Sequence, residues 1–284
     1  MKKNMLLTAG AAFVLLSVLV SLPIRHAHGQ VGTAEVPAIT TDFVPPAVFQ
    51  AAGPTAGSIQ GSVAEYRTAL GDQNNGNDGS HDGGRREINW DGGGNNQNTA
   101  VAGNPFAGFL FTRGALFTTP DGTGFVQATP QGLAGFFNNP TYGTIFHTFS
   151  QFRLFSAIGG KITDVNFFVP GGGNMPATTK GFGAVFTDVD QPDGSGPAEK
   201  NGNRKASTLI EYFGTHGELL FSSFVPAAPG DGGQSFFGIV FPDARIAHVR
   251  ITSGNVAPGP DDDGKQDVVM MDDFLYGEPQ ALPQ

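Results

Sequence analysis

Two apolar, β-prone segments of the chain carry aspartates where a buried strand would be hydrophobic. The first covers residues 181–190 and the second residues 267–276. An ionised carboxylate in such surroundings is costly unless it is paired, hydrogen-bonded or bound to a hard cation. Clustered carboxylate oxygens suit Ca²⁺ in particular. The sequence therefore predicts a calcium site, and Ca²⁺ is the one cofactor that we expect.

The first segment supplies Asp188, Asp190 and Asp193 as predicted metal ligands. Asp188 and Asp190 are two residues apart at a strand end, so both carboxylates leave the same face, and a turn at Asp193 leads the chain back toward them. Pro192 and a displaced glycine exclude the loop of an EF-hand. The alternative is an ordinary acidic turn in solvent, because aspartate and glycine are common turn residues.

The second segment supplies Asp272 and Asp273. Neighbouring strand residues face opposite ways, so at least one of these carboxylates should point toward the apolar side. The alternative is an aspartate that accepts backbone N–H groups at a sheet edge. A single metal centre requires that this pair meet the aspartates of the first segment. Two further acidic loops, at residues 77–83 and 261–264, are more typical of mobile segments than of cation sites.

Residues 88–91, with the sequence Ile-Asn-Trp-Asp, contain the only tryptophan of the chain. Trp90 can provide an aromatic platform for a sugar ring, and we predict Trp90, Asn89 and Asp91 as ligand contacts. The alternative is a partly buried packing residue whose ring N–H is hydrogen-bonded, which is the more frequent position of tryptophan.

The sequence contains no recognisable catalytic constellation. The histidines after residue 29 lack the spacing of a zinc site, and Ser195 lacks the Gly-x-Ser-x-Gly turn of a nucleophile elbow. Glu211 and Glu218 flank a hairpin turn and are in principle a glycosidase pair, but two acids in such a place are usually only solvated. We therefore predict that the protein is not an enzyme.

The N-terminus has the pattern of a secretory signal peptide. Basic residues at positions 2 and 3 precede an apolar stretch at 6–22, and residues 27–29 form a small-x-small cleavage site. The apolar stretch is nearly long enough for a membrane anchor, which is the alternative. We predict cleavage near Gly29 and a protein that is secreted or periplasmic and has no membrane contact afterwards.

The charge balance and the lack of cysteine limit the partners and the sources of stability. Cleavage removes three of the 16 basic residues and none of the 25 acidic ones, which leaves a net charge of −12. This acidity argues against nucleic acid and anionic membranes as partners and suits cation binding. Without cysteine, no disulfide can stabilise an exported fold.

The chain after the signal divides into a leader, a domain and a tail. Residues 30–57, rich in Pro, Ala and Thr, predict an extended leader. The domain is expected at 58–278 and a tail at 279–284. Within 58–70, four apolar residues recur at helical spacing and predict the one short helix that we expect. They are Ile59, Val63, Tyr66 and Leu70.

From residue 85 onward, short apolar or alternating segments are separated by Gly, Pro, Asn and Asp. Ten to twelve strands are predicted, among them 107–117, 144–158 and 246–252, together with a hairpin at 207–225. Helices that could connect parallel strands are lacking. The pattern predicts an all-β fold, an antiparallel β-sandwich of the jelly-roll type with long Gly/Asn-rich loops.

Several segments resemble exported bacterial β-jelly-roll domains of the kind found in proteins with a PEP-type C-terminal sorting signal, which are similar to galactose- or carbohydrate-binding modules. These segments are residues 86–92, 181–190, 208–213, 235–241, 246–255 and 271–274. The resemblance covers about 85–278 and implies a structural Ca²⁺ near Asp188 or Asp272 and glycan contacts from loops. Because the chain lacks the sorting signal itself, we expect simple secretion.

These observations lead to one expected function with two alternatives. We expect a secreted, non-catalytic binding domain, stabilised by Ca²⁺, whose partner is a glycan or an extracellular polymer. The first alternative is a structural protein of the cell envelope or matrix without a small ligand. A hydrolase is the weaker alternative.

Overall fold

Two antiparallel β-sheets pack face to face in the computed structural model, which describes residues 44–92, 97–191, 208–263 and 265–282. The helices are α1 (Ala56–Leu70), α2 (Leu110–Arg113), α3 (Pro130–Phe136) and α4 (Tyr142–Ile145). The strands are β1 (Ala47–Gly53), β2 (Arg85–Ile88), β3 (Ala100–Gly103), β4 (Phe106–Phe109), β5 (Ala115–Thr118), β6 (Gly124–Ala128), β7 (Leu154–Ile158), β8 (Ile162–Phe167), β9 (Ala177–Thr178), β10 (Gly181–Thr187), β11 (Leu209–Phe213), β12 (Leu219–Phe224), β13 (Gln234–Val240), β14 (His248–Thr252), β15 (Met270–Gly277) and β16 (Gln280–Ala281).

The larger sheet has the strand order β1-β13-β10-β15-β7-β6-β3, with β2 also paired to β15, and the smaller sheet has the order β12-β11-β14-β8-β5-β4. Strands β9 and β16 form a separate pair. Apolar side chains of both sheets fill the space between them, and they include Phe155, Phe182, Phe274, Val165, Ile210 and Val249. The predicted all-β sandwich is therefore confirmed, and the predicted hairpin is β11 with β12.

Helix α1 covers the outer face of the larger sheet. The four residues that predict the helix are all buried, and they pack against Val185, Phe236 and Leu275 of that face. Gly183 and Gly238 lie opposite each other on β10 and β13, and a Cβ atom on either would stand 2.9 Å from the Tyr66 ring. These two glycines therefore leave the space that the tyrosine ring occupies.

The folded domain begins before the boundary expected at residue 58. Strand β1, inside the expected leader, pairs with β13 over its whole length. Phe49 and Ala51 of this strand pack against the cluster beneath α1, which explains why a Pro- and Ala-rich segment is ordered. At the other end, β16 lies in the expected tail and pairs with β9.

Two of the predicted strands are interrupted by helices that the sequence analysis did not anticipate. The segment 107–117 contains α2, which ends at Gly114 with a left-handed φ of 69°. The segment 144–158 begins in α4 and becomes a strand only at β7. Helix α3 has a regular start, since the hydroxyl of Thr129 accepts the N–H of Gly132 and proline follows at the first position.

The polar loop between α1 and β2 wraps around a buried arginine. The Arg86 side chain is fully buried, and its Nε lies 2.5 Å from a carboxylate oxygen of Glu278. Its Nη2 donates to the other oxygen of Glu278 at 2.7 Å, and its Nη1 donates to backbone carbonyls of the loop, including those of Gly76 at 2.9 Å and Asp78 at 2.7 Å. This loop, whose composition is typical of a mobile segment, thus surrounds the cationic side chain of Arg86.

Replacement of Glu278 by Gln should lower the free energy of unfolding by about 3–5 kcal/mol, because it leaves the buried guanidinium without its counter-charge. Urea denaturation measures the loss. The matched control is Asp243→Asn, which removes the exposed ion pair with Arg245 and should cost less than about 1 kcal/mol. Equal losses in the two variants would show that the buried pair contributes no more to stability than the exposed pair.

Candidate functional site

Asp188 lies directly after β10 and contacts an aspartate that is distant in sequence. Its side chain is buried, and its backbone has a left-handed φ of 69°. The carboxylate lies against that of Asp262 and accepts the N–H of Gly232 at 3.3 Å. The structure therefore joins the first predicted segment to a loop that composition alone made a weaker candidate.

Two more aspartates stand close to this pair. Asp190 accepts the N–H of Gly230 at 2.8 Å, and the buried Asp267 accepts the N–H groups of Asp190 and the residue after it. Asp262 accepts the N–H of Val268 at 3.2 Å. Backbone N–H groups thus provide some of the hydrogen bonds that these four carboxylates accept, but they bring no positive charge to the cluster.

The electrostatics of the pair follow from burial and like charge. Burial, followed by the charge of Asp262, raises the pKa of Asp188 to about 9, and burial raises the pKa of Asp262 to about 7. Two carboxylates in contact cannot both ionise without a large cost, so near neutral pH the pair requires a proton or a cation.

The described residues contain no group of three or more His, Cys, Asp or Glu side chains arranged to hold a metal ion. Asp193, the third ligand predicted in the first segment, lies outside the described residues. Asp262 and Asp267 are the members of this group that the sequence analysis did not assign as ligands. Their only signal was the density of aspartates around residues 261–267.

A β-bulge in β15 sets the direction of Asp272 and Asp273. The register between β10 and β15 shifts so that these two residues stand opposite Val185 alone. Met271 and Phe274 on either side both face the sandwich interior, whereas both aspartates lie on the outer face beside α1. The expectation that the two side chains point in opposite directions is wrong here, because a bulge adds one residue to one strand.

The second pair of aspartates has different partners from the first. Asp272 accepts the N–H of Phe149 at 2.6 Å and the hydroxyl of Ser150 at 2.8 Å, and Asp273 lies 3.6 Å from Arg67. Burial raises the pKa of Asp273 to about 6 and that of Asp272 well above its ordinary value. This pair fastens the loop before β7 to the sheet, while Asp188 meets Asp262.

Trp90 is a core residue, with only 1% of its surface exposed. Its ring stacks on Phe155 with 3.7 Å between ring centres, and its Nε1 donates to the carbonyl of Asp272 at 2.8 Å. The ring therefore has no open face on which a sugar could lie. Of its two neighbours, Asn89 is exposed.

The carboxylate of Asp91, the third predicted ligand contact, is engaged in hydrogen bonds with backbone N–H groups. Its carboxylate accepts the N–H groups of Gln151, Phe152 and Arg153 at 2.9–3.1 Å. This residue fixes the turn that leads into β7.

A cleft of about 520 Å³ opens next to Trp90, which is among its lining residues. Its wall combines aromatic rings, side-chain amides and two guanidinium groups. The residues that supply these groups are Phe106, Phe109, Asn77, Asn98, Gln127, Arg113 and Arg153. Sequence reasoning reached this region through Trp90 and the two Asn/Gly-rich loops but did not find the two phenylalanines or Arg113, because β4 and α2 were predicted as one strand.

The two glutamates considered as a glycosidase pair have ordinary surroundings. Glu211 stands opposite Arg250 in the sheet, and Glu218 accepts the N–H of His216 at 2.9 Å in the turn.

Comparisons of the chain with protein-family models, with curated proteins and with solved structures each give no match. Among the described residues, none of the helices has the length and apolar character needed to cross a bilayer. The fold and the groups described above define the class, an antiparallel β-sandwich with an aromatic cleft beside Trp90 and two pairs of aspartates, of which Asp262 alone is half-buried.

Replacement of Asp262 by Asn should change how stability depends on pH. Since the folded protein keeps a proton on the Asp188–Asp262 pair that the unfolded chain releases near pH 4, the free energy of unfolding should fall as pH rises toward 9. Asp262→Asn should flatten this fall and stabilise the protein at pH 8 by about 1 kcal/mol, since an amide can donate to Asp188.

Urea denaturation at several pH values between 4.5 and 8.5, in EDTA, measures the difference between the two profiles. Asp261→Asn removes an exposed neighbouring carboxylate and should leave the slope unchanged. Parallel profiles for the native protein and Asp262→Asn would refute the shared proton.

Proposed function

We propose that this protein is an exported, non-catalytic glycan-binding domain and that the cleft beside Trp90 is its binding site. The supporting observation is the mixed lining of that cleft. Phe106 and Phe109 provide apolar ring surface, and Asn77, Asn98 and Gln127 provide amides. Pockets for small ligands are usually mostly apolar with a few convergent polar groups, and about 520 Å³ falls within their usual range.

The chemistry of a sugar matches this lining in two ways. The C–H face of a sugar ring packs on aromatic carbon, and its hydroxyls need both donors and acceptors, which side-chain amides supply together. Trp90 supports the site without contacting the ligand, because its ring packs nearly perpendicular to that of Phe109, with 5.7 Å between ring centres. The role of Trp90 in this proposal is therefore to hold the phenylalanine in place.

Export is part of the proposal, and the protein acts in the periplasm or outside the cell. The support is the basic and apolar pattern of residues 1–29, which lies outside the described residues.

We also propose that Ca²⁺ stabilises the domain by bridging Asp188 and Asp262. The support is that both are hard oxygen ligands in contact, each with one oxygen engaged by a backbone N–H group. A divalent cation would remove the repulsion that otherwise requires a proton. Two carboxylates are fewer ligands than Ca²⁺ needs, so backbone carbonyls and water must supply the remainder.

Added Ca²⁺ should raise the melting temperature at pH 8, where the Asp188–Asp262 pair is less completely protonated than at lower pH. A site that binds only the folded state stabilises it by about 2.7 kcal/mol at a free ion concentration one hundred times Kd. Differential scanning calorimetry in EDTA and then in Ca²⁺ measures the shift. Asp188→Asn should abolish the shift and Asp261→Asn should preserve it. A shift that persists in Asp188→Asn would place the ion elsewhere.

Binding of oligosaccharides should depend on the cleft. Phe109→Ala should weaken binding about tenfold, which corresponds to the loss of one aromatic contact. Phe111→Ala is the matched control, since Phe111 is 68% exposed and is not part of the cleft lining. Isothermal titration against hits from a glycan array measures both variants, and calorimetric melting shows whether Phe109→Ala is still folded.

Gln127→Ala removes a polar contact at the half-buried edge of the cleft and should weaken binding without loss of the fold. Glycan arrays and polysaccharide pull-downs that stay blank with and without Ca²⁺ would overturn the proposal. Self-association without dependence on sugar would then favour a structural protein of the envelope or matrix.

A further inference from the structure

Arg113 is a half-buried cation of the cleft whose acceptors are all uncharged. Its Nε donates to the amide oxygen of Asn77 at 2.9 Å, and one Nη donates to the backbone carbonyl of Glu87. The guanidinium carbon stands 5.3 Å from the centre of the Phe109 ring. Among the ion pairs of the described residues, none includes Arg113.

Arg153 also lines the cleft and donates to the backbone carbonyls of Trp90 and Gly92. Three arginines on α1 and β2, by contrast, have a carboxylate partner. Arg86 pairs with Glu278, and Arg67 and Arg85 both pair with Glu87. A partly desolvated charge without a hydrogen-bonded counter-charge is costly, and burial lowers the pKa of Arg113 from its ordinary value although the charge of Glu87 opposes that shift. A ligand that brings an anionic group to this guanidinium would therefore gain more binding free energy than a neutral ligand.

We propose that the glycan bound in the cleft is acidic and that its carboxylate or sulfate group binds to Arg113. This inference rests on the proposed function. Guanidinium groups bind oxyanions through paired N–H donors, a geometry that an ammonium group lacks. The sugar ring then lies along Phe106 and Phe109, and the amides of the lining bind its hydroxyls.

The net negative charge of the chain does not oppose this arrangement at the site. Charges separated by more than about 8 Å are largely screened at physiological ionic strength. The contact with Arg113 is local and partly shielded from water, so it is screened much less than the charges elsewhere on the surface.

The test compares oligosaccharides of galacturonic acid with matched oligosaccharides of galactose by isothermal titration, in EDTA and 0.15 M NaCl. The native protein should bind the acidic series about tenfold more tightly, in keeping with one charge-assisted hydrogen-bonded pair. Arg113→Gln should remove this preference, with a larger loss of affinity for the acidic series than for the galactose oligosaccharides. Arg113→Lys should restore only part of it, and calorimetric melting reports the folding of each variant.

The outcomes separate this inference from the proposed function. Equal binding of the two series, or an acidic preference that survives in Arg113→Gln, overturns the role of Arg113, while dependence on Gln127 still supports a glycan site. Failure of both series and of the wider glycan array overturns both proposals. Binding of sodium sulfate alone as tightly as of the acidic oligosaccharides also overturns it, because the ring contacts would then add nothing.

Discussion

The buried ion pair between Arg86 and Glu278 determines where the loops around the cleft lie. The guanidinium of Arg86 reaches the carbonyls of the preceding loop and also that of Thr112 in α2, at 3.2 Å. Asn77 of this loop accepts from Arg113, the last residue of α2. The position of the cleft wall is therefore set by a charge pair that does not itself line the cleft. Such pairs contribute less to net stability than to the choice of one arrangement, since both ions had to leave water.

The two carboxylate pairs show how the same residue type takes different roles in one sheet. Asp272 and Asp273 have donors from a loop and the guanidinium of Arg67 from α1, although burial still raises the pKa of both. Asp188 and Asp262 have backbone donors but no basic side chain among their principal charge interactions. This difference is the reason that the calcium proposal is attached to the first pair, although both segments suggest metal binding in the sequence.

The features that the sequence predicts well are those that repeat over short distances. The spacing of Ile59, Val63, Tyr66 and Leu70 predicts α1, and the alternation around Leu209–Phe213 and His248–Thr252 predicts strands of the sandwich. Strand β1 escapes prediction because its order comes from pairing with β13, almost two hundred residues later. Helices α2 and α4 escape because each is a short local interruption in an apolar segment.

The candidate sites are less predictable than the fold, because they depend on contacts between distant segments. Asp188 and Asp262 are brought together by the return of the chain before β15. Asp272 and Asp273 share a face because of one bulge, which no periodicity reveals. The sequence draws attention to Trp90, but this ring lies in the core, and the aromatic surface in the adjacent cleft belongs to Phe106 and Phe109.

The distance along the chain between Arg86 and Glu278 has a consequence for assembly. The two residues are 192 positions apart, and Glu278 is made among the last residues of the domain. Until Glu278 has been made, the guanidinium of Arg86 lacks its counter-charge. The wall of the cleft is therefore completed only after the strands of both sandwich sheets have been made.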